Sequence, residues 1–393
     1  MRLVFAITEP HIPDAMGGGV LDIHQLSRAL VAAGHRVDVF AALAGHGRLL
    51  PYRARQLMSR SSVVRRVDDA NGYPTTRVLR DKMGFLVADR MLRDAPDVLI
   101  LQGTDFVHLV TPALSRGVAV IIRIVTAESA DELGQRALTS PILDGQLRHP
   151  LVSIVSNSAF VAARVADQLG VTSPVIYPYI DIERCIAPRR QVVTGRAARG
   201  TPVSGFVTLV NPTSLKGVDV ALAVAALLPE CRFLFLEAWH LPAVERAELV
   251  RRVDLLPNVE MRPQTDDMAA VYAETAVLFV PSQWEEAFGR VVIEAAANGI
   301  PAVASRIGGL PEAMSDGGVL LESTEQPEHW ARGIARLLYD RKKYADVSER
   351  AMTHSRSPQF AAEVVLAQFL DVASRLTAPA RDVVEEPTEP RQV

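Results

Sequence analysis

Short apolar runs alternate with longer stretches of helical period along nearly the whole sequence, and this alternation admits few architectures. A strand followed by an amphipathic helix, repeated, builds a parallel sheet with helices packed on its faces. The first half predicts strands at Leu3–Thr8, Arg36–Ala41, Thr75–Val78, Asp97–Leu101, Val118–Ile124, Leu151–Ser156 and Pro174–Ile176. A helix over Val20–Ala33 ends at Gly34, a residue suited to the left-handed position past a helix end. A second series follows at Gly205–Val210, Arg232–Glu237, Asn258–Arg262, Ala276–Val280, Pro301–Ser305 and Gly318–Leu321. At 393 residues the chain has room for two such units.

The boundaries follow from composition. Residues 1–178 form the first domain and 201–358 the second, joined by a basic, aperiodic linker at 179–200 that contains Arg189, Arg190, Arg196 and Arg199. A closing helix at about 359–377 is expected to pack back on the first domain. Residues 378–393, with Pro379, Pro387, Pro390 and Glu385-Glu386, read as a disordered tail.

The bulk numbers remove several function classes. A net charge of −3 gives no basic field for nucleic acid. Two distant cysteines, Cys185 and Cys231, make neither a disulfide framework nor a zinc site, and no metal is expected. The apolar start breaks at Thr8-Glu9-Pro10, too early for a signal peptide, so a cytoplasmic location is expected. Six arginines fall between Arg48 and Arg66 with no acid before Asp68; the plain reading is an ordinary exposed loop-helix, and the alternative is a surface for weak contact with an anionic membrane face or a phosphorylated acceptor.

The chemistry concentrates in Pro281 to Pro301. This segment leaves a strand at Val280, in the zone where open sheets bind ligands. Gly289 to Asn298 reads as a helix, with Glu286 on the loop before it and Glu294 inside it. The N–H groups and partial positive charge of such a helix start suit a diphosphate, and Gly289 lets the backbone come close. Glu294 could accept hydrogen bonds from ribose hydroxyls and Glu286 from a sugar. The plain alternative is two solvated glutamates near a favourable dipole.

Two further features add weight. Lys216, in the loop Asn211–Gly217 after the second domain's first strand, is one of four lysines in a chain with thirty-eight arginines. Such a lysine can meet phosphate as a point charge. Gly17, Gly18 and Gly19 open the first helix, where bare backbone N–H groups can approach an anion.

This constellation resembles the retaining glycosyltransferases of family 4, which have the GT-B fold of two Rossmann-like doubly wound domains facing a cleft. The resemblance rests on Glu286, Phe288, Gly289, Glu294, Ala295, Gly299 and Pro301, on Ile307–Glu312, and in the first domain on Ser156–Phe160 and Asn71–Pro74. It implies transfer of a hexose-type sugar from a nucleotide-diphosphate donor to a hydroxyl acceptor, without cofactor or metal. Glu286 and Lys216 would carry the catalytic work. The donor would be held by Gly18, Gly19, Asn211, Arg262, Phe288, Gly289, Arg290, Val291 and Glu294. His11, in the loop before the glycines, and Glu128 and Asp131, in the loop after the strand Val118–Ile124, are the candidates facing acceptor or sugar. Two positions depart from the family pattern: Asn211 stands where an arginine is usual, and no histidine follows the strand Val118–Ile124.

Three other readings compete. Asp38 lies about twenty residues after the glycines, as in a dinucleotide-binding oxidoreductase, but the glycines come after the whole loop Glu9–Met16 and not in the strand's tight turn. A GT-B relative with other chemistry, such as a nucleotide-sugar epimerase or a non-glycosidic coupling enzyme, and a silent nucleotide-sugar binding protein keep the same motif.

Overall fold

The computed structural model describes residues 1–15, 17–42, 65–78, 87–89, 94–188, 203–239 and 241–378. The basic stretch from Arg48 is outside these residues apart from the backbone of Arg65 and Arg66, as are residues 189–202, which take in most of the linker, and tail residues 379–393.

The first domain carries β1 (Arg2–Pro10), β2 (Arg36–Ala42), β3 (Arg65–Asp68), β4 (Thr75–Val78), β5 (Val98–Gln102), β6 (Ala119–Ile124) and β7 (Val152–Ser156). They form one seven-stranded sheet in the order β3-β4-β2-β1-β5-β6-β7. All neighbours run parallel except β3, which pairs antiparallel with β4. β3 was not foreseen, and the strand expected at Pro174–Ile176 reduces to one bridge between Ser156 and Val175. The second domain holds β8 (Phe206–Val210), β9 (Arg232–Leu236), β10 (Val259–Arg262), β11 (Thr275–Val280), β12 (Ala302–Ser305) and β13 (Gly318–Leu321). These six strands are parallel throughout, in the order β10-β9-β8-β11-β12-β13.

Helices of the first domain are α1 (Gly18–Ala32), α2 (Val110–Leu114), α3 (Ala127–Thr139), α4 (Pro141–Leu147) and α5 (Ala159–Leu169). The second has α6 (Val218–Leu227), α7 (Ala243–Val253), α8 (Met268–Glu274), α9 (Arg290–Ala297), α10 (Leu310–Met314), α11 (Pro327–Tyr339) and α12 (Arg341–Ser355). The last, α13 (Ala362–Thr377), returns to the first domain: Val365, Phe369 and Ala373 are buried with β1 and β5 residues, and the Phe369 ring stacks on Phe5 at 6.3 Å.

Each sheet reverses its strand order at one place, between β1 and β5 in the first and between β8 and β11 in the second. Ligands of open α/β sheets bind outside the carboxyl ends of the strands at such switch points. The loop after β1 carries Gly17–Gly19, the loop after β8 carries Lys216, and the loop after β11 carries Glu286. The topology therefore puts the Lys216 and Glu286 segments side by side before any side chain is considered, and docking of the two domains brings the Gly17–Gly19 segment to them.

The described part of the linker is packed and not a free tether. Ile180 and Cys185 are buried in the second domain's core, while the N–H of Tyr179 donates to Asp22 of α1 at 2.7 Å. Among the described residues, no helix is long and apolar enough to cross a membrane.

Candidate active site

Three glycines set the spacing of the second-domain loops. Gly217 has φ +77°, and a Cβ there would lie 1.9 Å from the carbonyl oxygen of Pro281. A Cβ on Gly308 or Gly309 would lie 2.2 or 2.3 Å from the carbonyl oxygens of Glu286 or Ala287. These contacts require the absence of a side chain. The Gln283 N–H donates to the Leu215 carbonyl at 2.9 Å, and the Gly309 N–H to the Glu286 carbonyl at 2.6 Å. Three backbone segments are thus fused around Glu286.

Lys216 pairs with the Glu286 carboxylate, whose Oε1 also accepts from the Ser282 hydroxyl at 2.7 Å. The ammonium lies 5.0 Å from the centre of the Trp239 ring and 5.2 Å from that of Trp284. Two indole faces and a carboxylate therefore hold one cation, a geometry in which each ring adds about 0.5–1 kcal/mol. The chain has three tryptophans, and these two flank Lys216. That scarcity is the one signal in the sequence that marks them.

Glu294, on α9, is buried with both oxygens engaged. Oε2 accepts from the Tyr272 hydroxyl at 2.9 Å, and Oε1 faces Arg290 Nη2 at 3.3 Å. Burial, and then the Glu294 charge, raise the Tyr272 phenol well above its ordinary range, so it stays a donor. Tyr272 was not foreseen, because α8 carries no motif. Arg290 reaches past Glu294 to the first domain, donating to Gln25 Oε1 and to the Tyr179 carbonyl, each at 2.9 Å.

The opposing wall is the start of α1. Its N-cap is Gly17, with no side-chain cap and no acid in the first turn, so the positive end of the helix is left to the cleft. Cβ atoms on Gly17 and Gly18 would lie 3.4 Å from Trp239 Nε1 and from Arg290 Cδ, and one on Gly19 would lie 3.3 Å from Gln102 Nε2. The α9 start, capped by Gly289 at φ +101°, also lacks a side-chain cap. Two bare helix N-termini from two domains thus border the Lys216–Glu286 pair.

Several expected residues are placed differently. Asn211 is buried at φ +66°, its Oδ1 accepting from the Trp239 backbone N–H at 3.1 Å while its Nδ2 finds no partner among the described residues. Arg262, at the end of the edge strand β10, is committed to Glu260 at 2.6 Å and Glu274 at 3.0 Å. The Phe288 side chain is buried in an aromatic cluster, 5.3 Å from Tyr177 and 5.6 Å from Phe360. Val291 is half-buried on α9 beside the same core. His11 does not face the cleft: it is fully buried, 2.7 Å from the Tyr73 hydroxyl, which also meets His24 at 2.8 Å. Glu128 and Asp131 are not in a loop but in the first turns of α3, which the Thr126 hydroxyl caps by accepting from the Ser129 N–H at 3.1 Å. The Glu128 carboxylate accepts from the Trp284 indole N–H, and Asp131 lies 3.6 Å from Arg164.

Comparison with known proteins agrees with this fold. Residues 201–354 match the family "Glycosyl transferases group 1". A D-inositol 3-phosphate glycosyltransferase of Salinispora tropica is 38% identical over 133 residues, 33% of this chain and 26% of that one. The chain spans less than half the length of the curated relatives it matches. Sucrose-phosphate synthase from Thermosynechococcus elongatus superposes over 95% of this chain and 99% of that one, with a TM-score of 0.71 at 19% identity. Anabaena Alr3699/HepE in complex with UDP-glucose superposes over 94% of this chain and 99% of that one, with a TM-score of 0.70 at 16% identity. The chain has the GT-B fold, and its residues 201–354 match the glycosyl transferases group 1.

Proposed function

We infer that the protein is a retaining glycosyltransferase that moves a hexose from a nucleotide-diphosphate donor to a hydroxyl acceptor. The observation that carries this reading is the Lys216–Glu286 pair set between the bare N-termini of α1 and α9, with the buried Glu294 carboxylate one turn into α9. The UDP-glucose complex of a structural neighbour supports a nucleotide-sugar donor.

In this reading the bond between the anomeric carbon and the diphosphate oxygen breaks, and the electron pair leaves with the diphosphate. Lys216 and the two helix ends stabilise that anion as it forms, which is where fixed electrostatics act most strongly on a barrier. The acceptor oxygen bonds to the anomeric carbon on the departing face, and its proton passes to the leaving diphosphate. Glu286 lies against the positive charge that builds at the sugar. Glu294 takes the ribose hydroxyls.

The test is a thermal-shift series with UDP, GDP, ADP, TDP and NAD on the native protein and on Glu294→Ala. A nucleoside diphosphate at about 100 times its Kd raises stability by about 2.7 kcal/mol in the native protein. The variant should show much less. A shift with NAD alone, or with no nucleotide, removes the reading.

A further inference from the structure

Two stretches about 150 positions apart in the sequence, Ser156–Phe160 and Ile307–Glu312, meet across the domain boundary. Ser158 caps α5, its Oγ accepting from the Val161 N–H at 3.1 Å, and the same hydroxyl donates to the Ala287 carbonyl at 2.5 Å. Arg164, further along α5, pairs with Glu285 at 2.7 Å. The residues on both sides of Glu286 are therefore held by one helix of the opposite domain. Ala287 is buried within the first domain's core cluster.

Glu312 of α10 closes the arrangement. Its carboxylate accepts from the Ala159 N–H at 3.0 Å, from the Phe160 N–H at 3.3 Å and from the Tyr177 hydroxyl at 2.6 Å. An acid from one domain thus satisfies orphan N–H groups at a helix start in the other, where the dipole favours negative charge. Glu312 lies three residues after Gly309, whose own N–H donates to the Glu286 carbonyl at 2.6 Å. The close approach of Gly308 and Gly309 leaves no slack between α10 and the Glu286 loop.

We propose that Glu312, Ser158 and Arg164 form a cross-domain clasp that positions Glu286, so that the carboxylate is held in register with the first-domain wall of the cleft. None of the three touches the Lys216–Glu286 pair directly, and they act as positioning residues. The kinetic part of this inference rests on the transferase reading; the structural part does not.

The experiment compares the full-length native protein with Glu312→Ala and Glu312→Asp. Hydrogen exchange followed by mass spectrometry should show residues 282–288 exchanging at least tenfold faster in Glu312→Ala, with β8 unchanged. With UDP-glucose as the donor probe, kcat should fall at least tenfold while KM stays within twofold, and Glu312→Asp should recover part of the loss. Unchanged exchange at 282–288, or a KM that rises with kcat untouched, overturns the clasp. Should Glu312→Ala not fold, Ser158→Ala removes only a hydroxyl and gives the same comparison. If the native protein turns over no nucleotide sugar, the transferase reading fails, and the exchange result still decides the clasp.

Discussion

Glu286 and Lys216 pair across two loops that touch so closely that no side chain fits at residue 217. The pair is therefore only as well placed as the contact between the Gly217 and Pro281 backbones. Gly217→Ala should break it. The left-handed conformation alone costs an alanine about 1–2 kcal/mol, and the Cβ would meet a carbonyl oxygen at 1.9 Å. A urea titration should show a lowered midpoint, and nucleoside diphosphate affinity should fall more than tenfold. A variant with native stability and native binding would mean that the two loops move independently.

Lys216→Met tests the cation itself. The methionine keeps the stem between the Trp239 and Trp284 rings but removes the charge, leaving Glu286 with the Ser282 hydroxyl as its side-chain donor among the described residues. Affinity for the nucleoside diphosphate should drop by one to two orders of magnitude, while affinity for the unphosphorylated nucleoside should change little. Isothermal calorimetry with UDP and uridine separates the two. An equal loss for both ligands would assign Lys216 to loop structure and not to phosphate.

Tyr272→Phe isolates the hydrogen bond behind Glu294. Bonds to a charged group contribute about 1.5–3 kcal/mol, and the site is fully buried, so the variant should lose stability of that order. Arg290 would then hold the carboxylate alone, turned toward Gln25 and Tyr179. Weaker nucleotide binding with the loss of stability would show that Tyr272 orients Glu294; a stability loss with unchanged binding would show that Arg290 suffices.

The fold was legible because parallel strands buried on both faces read as apolar runs: β1, β5, β9 and β11 do so without a break at their centres, and β6 and β8 with one polar residue each, Arg123 and Thr208. The antiparallel β3, Arg-Arg-Val-Asp, carries no such signal, since an edge strand needs no apolar face. The neighbourhood of Glu286 and Lys216 is legible because glycines and strand ends mark where backbone must approach backbone. Helix α3 was missed at its start because Thr126-Ala-Glu-Ser is short of apolar residues, although Thr126 is a good capping residue. His11 was misplaced for a different reason: a loop position in sequence gives no account of which side chains fold under it. Here the Tyr73 hydroxyl draws both His11 and His24 into the interior. The clasp at Glu312 lies beyond sequence reasoning altogether, since its partners are about 150 positions apart along the chain and only the docking of the domains joins them.

The buried His24 gives the protein a predictable response to acid. Burial lowers its pKa from 6.5 to about 4, with Arg28 and Arg184 adding to the effect. Between these values the unfolded chain binds a proton that the folded chain refuses, so stability rises with pH across this window and falls as pH is lowered from about 6.5 to about 4. Thermal midpoints measured across that window should fall on acidification, and calorimetry near the middle of it should detect about one proton taken up on unfolding from this residue. His24→Gln removes the titrating group while keeping a polar side chain toward the Tyr73 hydroxyl. Its midpoint should start lower and depend less on pH, and a slope equal to that of the native protein would mean that His24 does not govern the acid response.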